Sequence, residues 1–316
     1  MNVLITGGAG FIGSNLVEEL LNDSEIEKVR VLDDLSNGYF KNVEEFLSNP
    51  KYEFIEGDIC NYDICLKATE GMDRISHQAA MGSVPRSIKN PMRTTQVNIF
   101  GTVNIMHAAV ENGVDRILLA CSSSTYGDSQ SLPKVEDVIG KSLSPYAVTK
   151  ACIESFADVF TRTYNLDYVG FRYFNIFGPR QSPDNPYAAV IPLFCHAFLK
   201  NERPVIFGDG LTSRDFTFVS NAVQANILGL KTTRPEALNQ IYNIACGEQI
   251  SLLDVVNRLN EINGSKIQPL FAKERMGDVK HSIADISKAM NLLGYKPEIL
   301  FNEGLAKAFK WYNKHQ

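Results

Sequence analysis

Val3-Leu4-Ile5-Thr6-Gly7-Gly8-Ala9-Gly10-Phe11-Ile12-Gly13 is the stretch on which the fold turns. Four residues suited to a buried strand run straight into a glycine cluster. From Ile12 to Leu21 apolar residues then recur at intervals of three and four, the period of an amphipathic helix. Strand, tight turn and helix are therefore predicted in that order. Glycine suits the turn because it reaches backbone angles a Cβ forbids and lets another group approach the chain closely. The amino end of the helix offers free N–H groups and a positive dipole end, which favour phosphate. Gly7, Gly10 and Gly13, with Phe11 and Ile12 between the last two, are the candidate contacts for a dinucleotide pyrophosphate.

Outward from that turn the same alternation repeats. Val29–Leu32, Tyr52–Ile55, Arg74–His77, Arg116–Ala120 and Tyr168–Phe171 read as further short strands. Asn98–Asn112 and Tyr146–Tyr164 read as further helices. Strands alternating with helices require right-handed crossovers, so the predicted class is α/β with a doubly wound parallel sheet. Past residue 175 the pattern is broken by Pro179, Pro183, Pro186, Pro192 and Pro204, and it resumes at Phe216–Leu230, Ile241–Ile244 and Leu252–Ile262. Residues 1–175 are expected to form a dinucleotide-binding domain, joined by parts of about 214–245. Residues 176–213 and 246–316 are expected to form a smaller substrate-binding lobe.

Asp33 ends the second strand 20 residues after Gly13, where an acid is suited to hold ribose hydroxyls. Asp34 beside it adds negative charge that would repel a 2′-phosphate. The pair therefore favours NAD over NADP.

Composition excludes several classes of function. The chain has 316 residues, 44% hydrophobic and 21% charged, with a net charge of −5, so it has no basic footprint for nucleic acid. It has no apolar run near the ~20 residues that cross a bilayer. Met1 leads almost at once into the first strand, so no signal peptide is expected and the expected location is cytoplasmic. The cysteines at 60, 65, 121, 152, 195 and 246 form no Cys-x-x-Cys pair, and the five histidines lack metal-ligand spacing. Neither a metal nor a disulfide is expected.

Tyr146 and Lys150 form a Tyr-x-x-x-Lys pair behind Ser144-Pro145. Serine at an N-cap and proline at the first helical position start a helix, and residues four apart share one helical face. A free phenol is a poor base at neutral pH. An ammonium ~5 Å away, at an effective dielectric of ~20, is worth about 3 kcal/mol, or roughly two pKa units. The spacing alone arises by chance on many helices. Its meaning comes from its place after a dinucleotide turn.

Gly-x-x-Gly-x-x-Gly, Tyr-x-x-x-Lys and the segments between them resemble the extended short-chain dehydrogenase/reductase family over nearly the whole chain. The resemblance implies a Rossmann sheet with a second, smaller substrate lobe. It implies cofactor contacts from Asp58, Ile59, Gln78, Ala79, Ala80, Asn98 and Tyr173, besides Tyr146 and Lys150. The family carries a serine or threonine four residues before the tyrosine of Tyr126-Gly127, which falls on Ser122. Ser122, Tyr146 and Lys150 thus become the implied catalytic set. Dehydratases of the family have an Asp-Glu pair next. Here those positions are Ser123-Ser124, which cannot do that acid–base work.

Later segments resemble sugar-nucleotide epimerases, nearest the UDP-N-acetylglucosamine 4-epimerases. They include Gly82-Ser83-Val84-Pro85-Arg86-Ser87, Arg172-Tyr173-Phe174-Asn175, Gly208 through Phe216, and Arg275-Met276-Gly277-Asp278 with Val279 to Ser282. The resemblance implies substrate contacts from Ser83, Ser122, Ser123, Tyr146, Asn175, Val190, Arg214, Arg275, Asp278 and Ser282. Phe216 departs from the tyrosine of many UDP-galactose epimerases. Ser282 falls at a position whose size is implied to gate N-acetylated sugars.

The implied reaction is oxidation of a UDP-hexose at carbon 4, rotation of the keto sugar about its diphosphate link, and reduction from the other face. UDP-glucose and a UDP-N-acetyl-uronate, with Arg86 facing a carboxylate, are alternative substrates. A UDP-uronate decarboxylase and a non-catalytic cofactor sensor are further alternatives. The family's helix-paired homodimer is implied at Asn98–Asn112 and Tyr146–Tyr164, with Ile105, Phe156 and Val159 as candidate contacts.

Overall fold

The computed structural model describes residues 1–184, 188–274 and 280–315. Six strands lead the chain: β1 (Asn2–Thr6), β2 (Lys28–Asp33), β3 (Tyr52–Glu56), β4 (Arg74–His77), β5 (Arg116–Ser122) and β6 (Asp167–Tyr173). Short strands follow: β7 (Ile176–Phe177), β8 (Val205–Phe207), β9 (Ser213–Arg214), β10 (Thr217–Phe218), β11 (Gln240–Ile244), β12 (Ile250–Ser251) and β13 (Leu270–Ala272). The central sheet has seven parallel strands in the order β11-β6-β5-β4-β1-β2-β3. This is the doubly wound α/β sheet read from the strand–helix alternation. Strands buried on both faces need apolar runs rather than alternation, and Val3, Leu4 and Ile5 have no exposed surface.

Among the described residues, ten α-helices complete the frame: α1 (Phe11–Asn22), α2 (Tyr62–Thr69), α3 (Val84–Lys89), α4 (Pro91–Thr95), α5 (Thr102–Glu111), α6 (Pro145–Tyr164), α7 (Val190–Leu199), α8 (Val219–Lys231), α9 (Leu252–Asn263) and α10 (Phe301–Lys314). α1 and α8 cover one face of the sheet, while α2, α5 and α6 cover the other, each over its own apolar cluster. α6 starts as its sequence dictates. The Ser144 side chain accepts from the Ala147 N–H, Pro145 takes the first turn, and Asn165 ends the helix in the left-handed region at φ 58°. The later chain pairs β8 with β13, β9 with β12 and β7 with β10, and packs α7, α9 and α10 around them.

One element differs from its expected bounds. The helix expected to open at Asn98 begins at Pro91, capped by the Asn90 side chain, and widens into a π turn at Gln96–Gly101 before α5. The polar run Arg93-Thr94-Thr95-Gln96 hides the helical period there. Asn98 lies inside this run rather than at its start. The strand order reverses between β1 and β4, and in such sheets that crevice is where ligands bind. No helix of the described residues is long and apolar enough to cross a membrane.

Candidate active site

A cavity of about 590 Å³ opens at the carboxyl ends of β1, β2, β4 and β5. A second, of about 280 Å³, adjoins it in the lobe. Asn175, Ile176, Ala188 and Ala189 line both, so the two form one path.

The glycine turn floors the larger cavity. Gly7 sits at φ +69°, and a Cβ there would lie 2.6 Å from the Ala79 nitrogen. At Gly13 a Cβ would lie 2.2 Å from the Gly7 carbonyl oxygen, a collision of backbone with backbone. These glycines are therefore required by close approach and not by turn propensity alone. Asp33 ties the turn down: its carboxylate accepts the N–H groups of Ala9 and Leu35, each at 2.9 Å. Burial pushes Asp33 above the usual carboxylate range, against the pull of those two bonds.

The far end of the cavity holds an ion cluster. Arg93, from α4, bonds Asp58 at 2.9 Å and reaches Asp34 at 3.7 Å. Burial raises Asp58, but the Cys60 N–H and Arg93 outweigh it and hold the carboxyl low. Nothing in the local sequence marks Arg93, because its two partners arrive from β2 and β3.

Beneath the loop after β4 runs a directional hydrogen-bond chain. The Thr102 hydroxyl donates to the Asn98 carbonyl at 2.6 Å, so it accepts from His77 Nε2 at 2.9 Å. His77 Nδ1 then accepts from the Thr6 hydroxyl at 2.7 Å, and Thr6 Oγ1 accepts from the Ala79 N–H at 3.3 Å. Burial drives His77 down to about 3, so the ring stays neutral. The Asn98 side chain is buried and used up on Met81 and Thr149. It does not line the cavity as expected, but shapes the loop that does.

Gln78 has a more constrained setting. Asn226 Nδ2 donates to the Ala222 carbonyl and the Tyr173 hydroxyl, which leaves its Oδ1 to accept from Gln78 Nε2 at 3.0 Å. Gln78 Oε1 is thereby left buried without a partner.

Ser122, Tyr146 and Lys150 meet on the cavity wall where β5 ends against α6. The Ser122 hydroxyl accepts from Ser124 Oγ at 2.9 Å. Lys150 Nζ lies 5.8 Å from the Tyr146 ring centroid. Burial pushes the Tyr146 phenol up, with the nearby Ser122 hydroxyl pulling against it. The expected two-unit lowering by Lys150 is not met by these residues alone, because its ammonium is turned to the Ala120 carbonyl at 2.6 Å. Burial lowers Lys150 itself to about 8.

Behind this trio, Arg172 makes a two-pronged bond to Glu154 at 3.0 and 2.8 Å, with both side chains mostly buried. Glu154 lies one turn beyond Lys150, so the pair locks α6 against β6. Removing one partner of such a buried pair costs about 3–5 kcal/mol.

Ser83 also lines the larger cavity, at φ 92°, and caps α3 by accepting from the Arg86 N–H. Asn175, at φ 39°, donates to the Asp215 carbonyl at 3.0 Å. Val190 and Arg214 line the smaller cavity with Phe207 and Phe216. Ser123 and Ser282 line neither, and Ser282 is buried beside Ser213. Arg275 and Asp278 lie outside the described residues.

A family model described as GDP-mannose 4,6 dehydratase matches residues 4–308. A UDP-glucose 4-epimerase of Mycolicibacterium smegmatis is 35% identical, with 100% of each chain covered. A UDP-N-acetylglucosamine 4-epimerase from Methanobrevibacter ruminantium, solved with UDP-N-acetylmuramic acid, superposes at TM-score 0.93. It is 37% identical, with 100% of this chain and 99% of that one covered. A UDP-glucuronic acid 4-epimerase from Bacillus cereus, solved with UDP-glucuronic acid and NAD, is 31% identical at TM-score 0.93, with 100% of both chains covered. The chain therefore belongs to the GDP-mannose 4,6-dehydratase-like family of extended short-chain dehydrogenases/reductases, in company with UDP-sugar 4-epimerases.

Proposed function

We propose that this chain is an NAD-dependent epimerase that inverts carbon 4 of a UDP-hexose, with UDP-N-acetylglucosamine and UDP-N-acetylgalactosamine as its substrate pair. The observation that carries the reading is the meeting of Ser122, Tyr146 and Lys150 on the wall of a cavity whose floor is the glycine turn. The two residues after Ser122 are serines, so a dehydratase's acid pair is missing from the chain itself.

The residues present fit NAD. The Gly7–Gly13 turn packs so closely on itself and on Ala79 that a Cβ at Gly7 or Gly13 would strike backbone, which brings the amino end of α1 to the cavity where a pyrophosphate would lie. Asp33 and Asp34 line the same cavity, and Gln78 Oε1 is an unpaired acceptor. When bound, NAD supplies a reversible hydride acceptor for carbon 4 of the sugar. Tyr146 takes the proton of the 4-hydroxyl and later returns one, with Ser122 steadying the same oxygen. Lys150 holds positive charge near the phenol and, through Ala120, fixes the helix that carries it. Arg214 and Asn175 flank the smaller cavity and retain the UDP end while the keto sugar turns. Ser282 lines neither cavity, so its part in admitting an acetamido group at carbon 2 rests on the small side chain at that position in the resemblance and not on a contact with the cavity.

Incubation with UDP-N-acetylglucosamine and chromatographic separation of the products tests this. Appearance of UDP-N-acetylgalactosamine without added reductant is expected, and its absence while UDP-galactose forms from UDP-glucose would remove the N-acetylated assignment. A UDP-N-acetyl-uronate is a second reading, favoured by Arg86 on the larger cavity's wall.

The same reading carries a homodimer paired through α5 and α6. Phe100, Val148 and Val159 are 53%, 52% and 44% exposed and supply the apolar face. Ile105 is fully buried in the core and is no part of such a contact.

A further inference from the structure

Asp215 follows Arg214 directly and has no accessible surface. Its Oδ1 accepts the N–H of Cys246 at 3.0 Å, and its Oδ2 those of Gly247 at 3.0 Å and Ala284 at 3.2 Å. These amides come from two segments remote from it in sequence. Cys246 and Gly247 follow β11, one of the two edge strands of the main sheet. Ala284 belongs to a segment running beside β9, where the Ser213 N–H donates to Lys280 at 3.0 Å and the Ser282 N–H donates to Ser213 at 3.2 Å. Asp215 extends that ladder by one rung with a side chain. One carboxylate therefore joins the main sheet, the strand of Arg214 and the segment of Ser282.

We propose that Asp215 is a positioning residue for substrate, bracing the strand of Arg214 against residues 280–284 in the register that presents Arg214 to the smaller cavity, where it would grip a nucleoside diphosphate. This rests on the reading above that this cavity takes the UDP end.

A purely structural role fits the site poorly. Burial raises Asp215 to about 6, against the pull of the N–H groups of Cys246, Ala284, Gly247 and Glu248. The titratable groups that face it are Cys246, Tyr295, Glu248, His281 and Arg214. Cys246 and Tyr295 are pushed up and neutral. The Glu248 carboxylate accepts from the Phe301 N–H, His281 bonds Ser213 Oγ, and Arg214 bonds the carbonyls of Ser213 and Lys280. The folded-state value lies above the unfolded one, so the stability this group contributes is fully present below the ordinary carboxylate range. It is lost as pH rises through 6. Binding runs the other way. The ionised carboxylate accepts three N–H bonds more strongly than the acid does, so the register tightens as pH rises through 6.

The test measures UDP-glucose affinity by calorimetry from pH 5 to pH 8, for the full wild-type chain and for Asp215→Asn. Thermal unfolding and retained cofactor are followed on the same samples. UDP-glucose is chosen because its diphosphate diester does not titrate in this range. Wild-type affinity is expected to fall about fivefold or more from pH 7 to pH 5. The variant is expected to bind about tenfold more weakly at pH 7, with a flat profile, unchanged cofactor and no loss of thermal stability at pH 8. An acid fall that persists in the variant assigns the titration to another group, such as His281, and overturns the proposal. So does wild-type affinity in the variant, or a joint loss of sugar nucleotide and cofactor. Should the variant not fold, the wild type decides: constant affinity from pH 7 to pH 5 overturns the proposal. A wild type that keeps cofactor yet binds no UDP-glucose at any pH overturns the reading of the cavity, and this inference with it.

Discussion

Lys150 Nζ donates to the backbone carbonyl of Ala120 at 2.6 Å. That bond joins the helix bearing Tyr146 to the strand end bearing Ser122, across 30 residues of sequence. It also holds an ammonium where burial lowers it to about 8. The charge is present below pH 8 and lost above it.

If that charge supports the Tyr146 phenolate, kcat/KM falls as pH rises through about 8. Lys150→Arg keeps its charge at every working pH. The substitution is expected to remove the alkaline limb, at an activity about tenfold lower because the Ala120 contact is disturbed. A wild-type profile flat to pH 9.5 would detach Lys150 from this role.

Tyr146→Phe removes only the hydroxyl that shares the cavity wall with Ser122. Turnover should drop by about 10²-fold or more, the usual worth of a positioned acid–base group. UDP-sugar affinity, read by calorimetry, should stay within about twofold. Near wild-type turnover would take Tyr146 out of the chemistry.

On the proposed reading, cofactor retention depends on the glycine turn and Asp33. The purified protein should carry NAD or NADH and bind NADP far more weakly, since both Asp33 and Asp34 line the larger cavity and would repel a 2′-phosphate. Gly13→Ala puts a Cβ 2.2 Å from the Gly7 carbonyl oxygen, so the turn must open. That variant should lose bound cofactor and about 1–3 kcal/mol of stability. Equal affinity for the two cofactors would contradict the assignment of Asp33.

Assembly can be probed at Val148, which is 52% exposed on α6. Light scattering should give a dimer at micromolar concentration, and Val148→Lys should shift it towards monomer by placing a charge in an apolar contact. A wild-type monomer would defeat the helix-paired dimer.

Ser282→Tyr tests the volume argument. It should abolish activity on UDP-N-acetylglucosamine while sparing UDP-glucose, because the acetamido group must fit in both poses of the keto sugar. Ser282 is 8% exposed and packed beside Ser213, so equal loss of both activities would mean disrupted packing and no gate.

The local features of this protein were legible in its sequence. The strand, the glycine turn and the helix of residues 3–21 follow from periodicity and from the freedom of glycine. The start of α6 follows from Ser144-Pro145, and the Tyr146–Lys150 face from helical spacing. Each of these depends on residues a few positions apart. What tertiary structure decided depends on partners that periodicity cannot see. Arg93 meets Asp58 across 35 residues, Gln78 meets Asn226 across 148, and Asp215 meets Ala284 across 69. Asn98 looked like a cavity residue and proved to be a brace, because the π turn aims its amide at Met81. Tyr146 looked like a phenol lowered by its lysine. Burial and the Ala120 carbonyl reverse that balance, and desolvation is a property only the packed chain possesses.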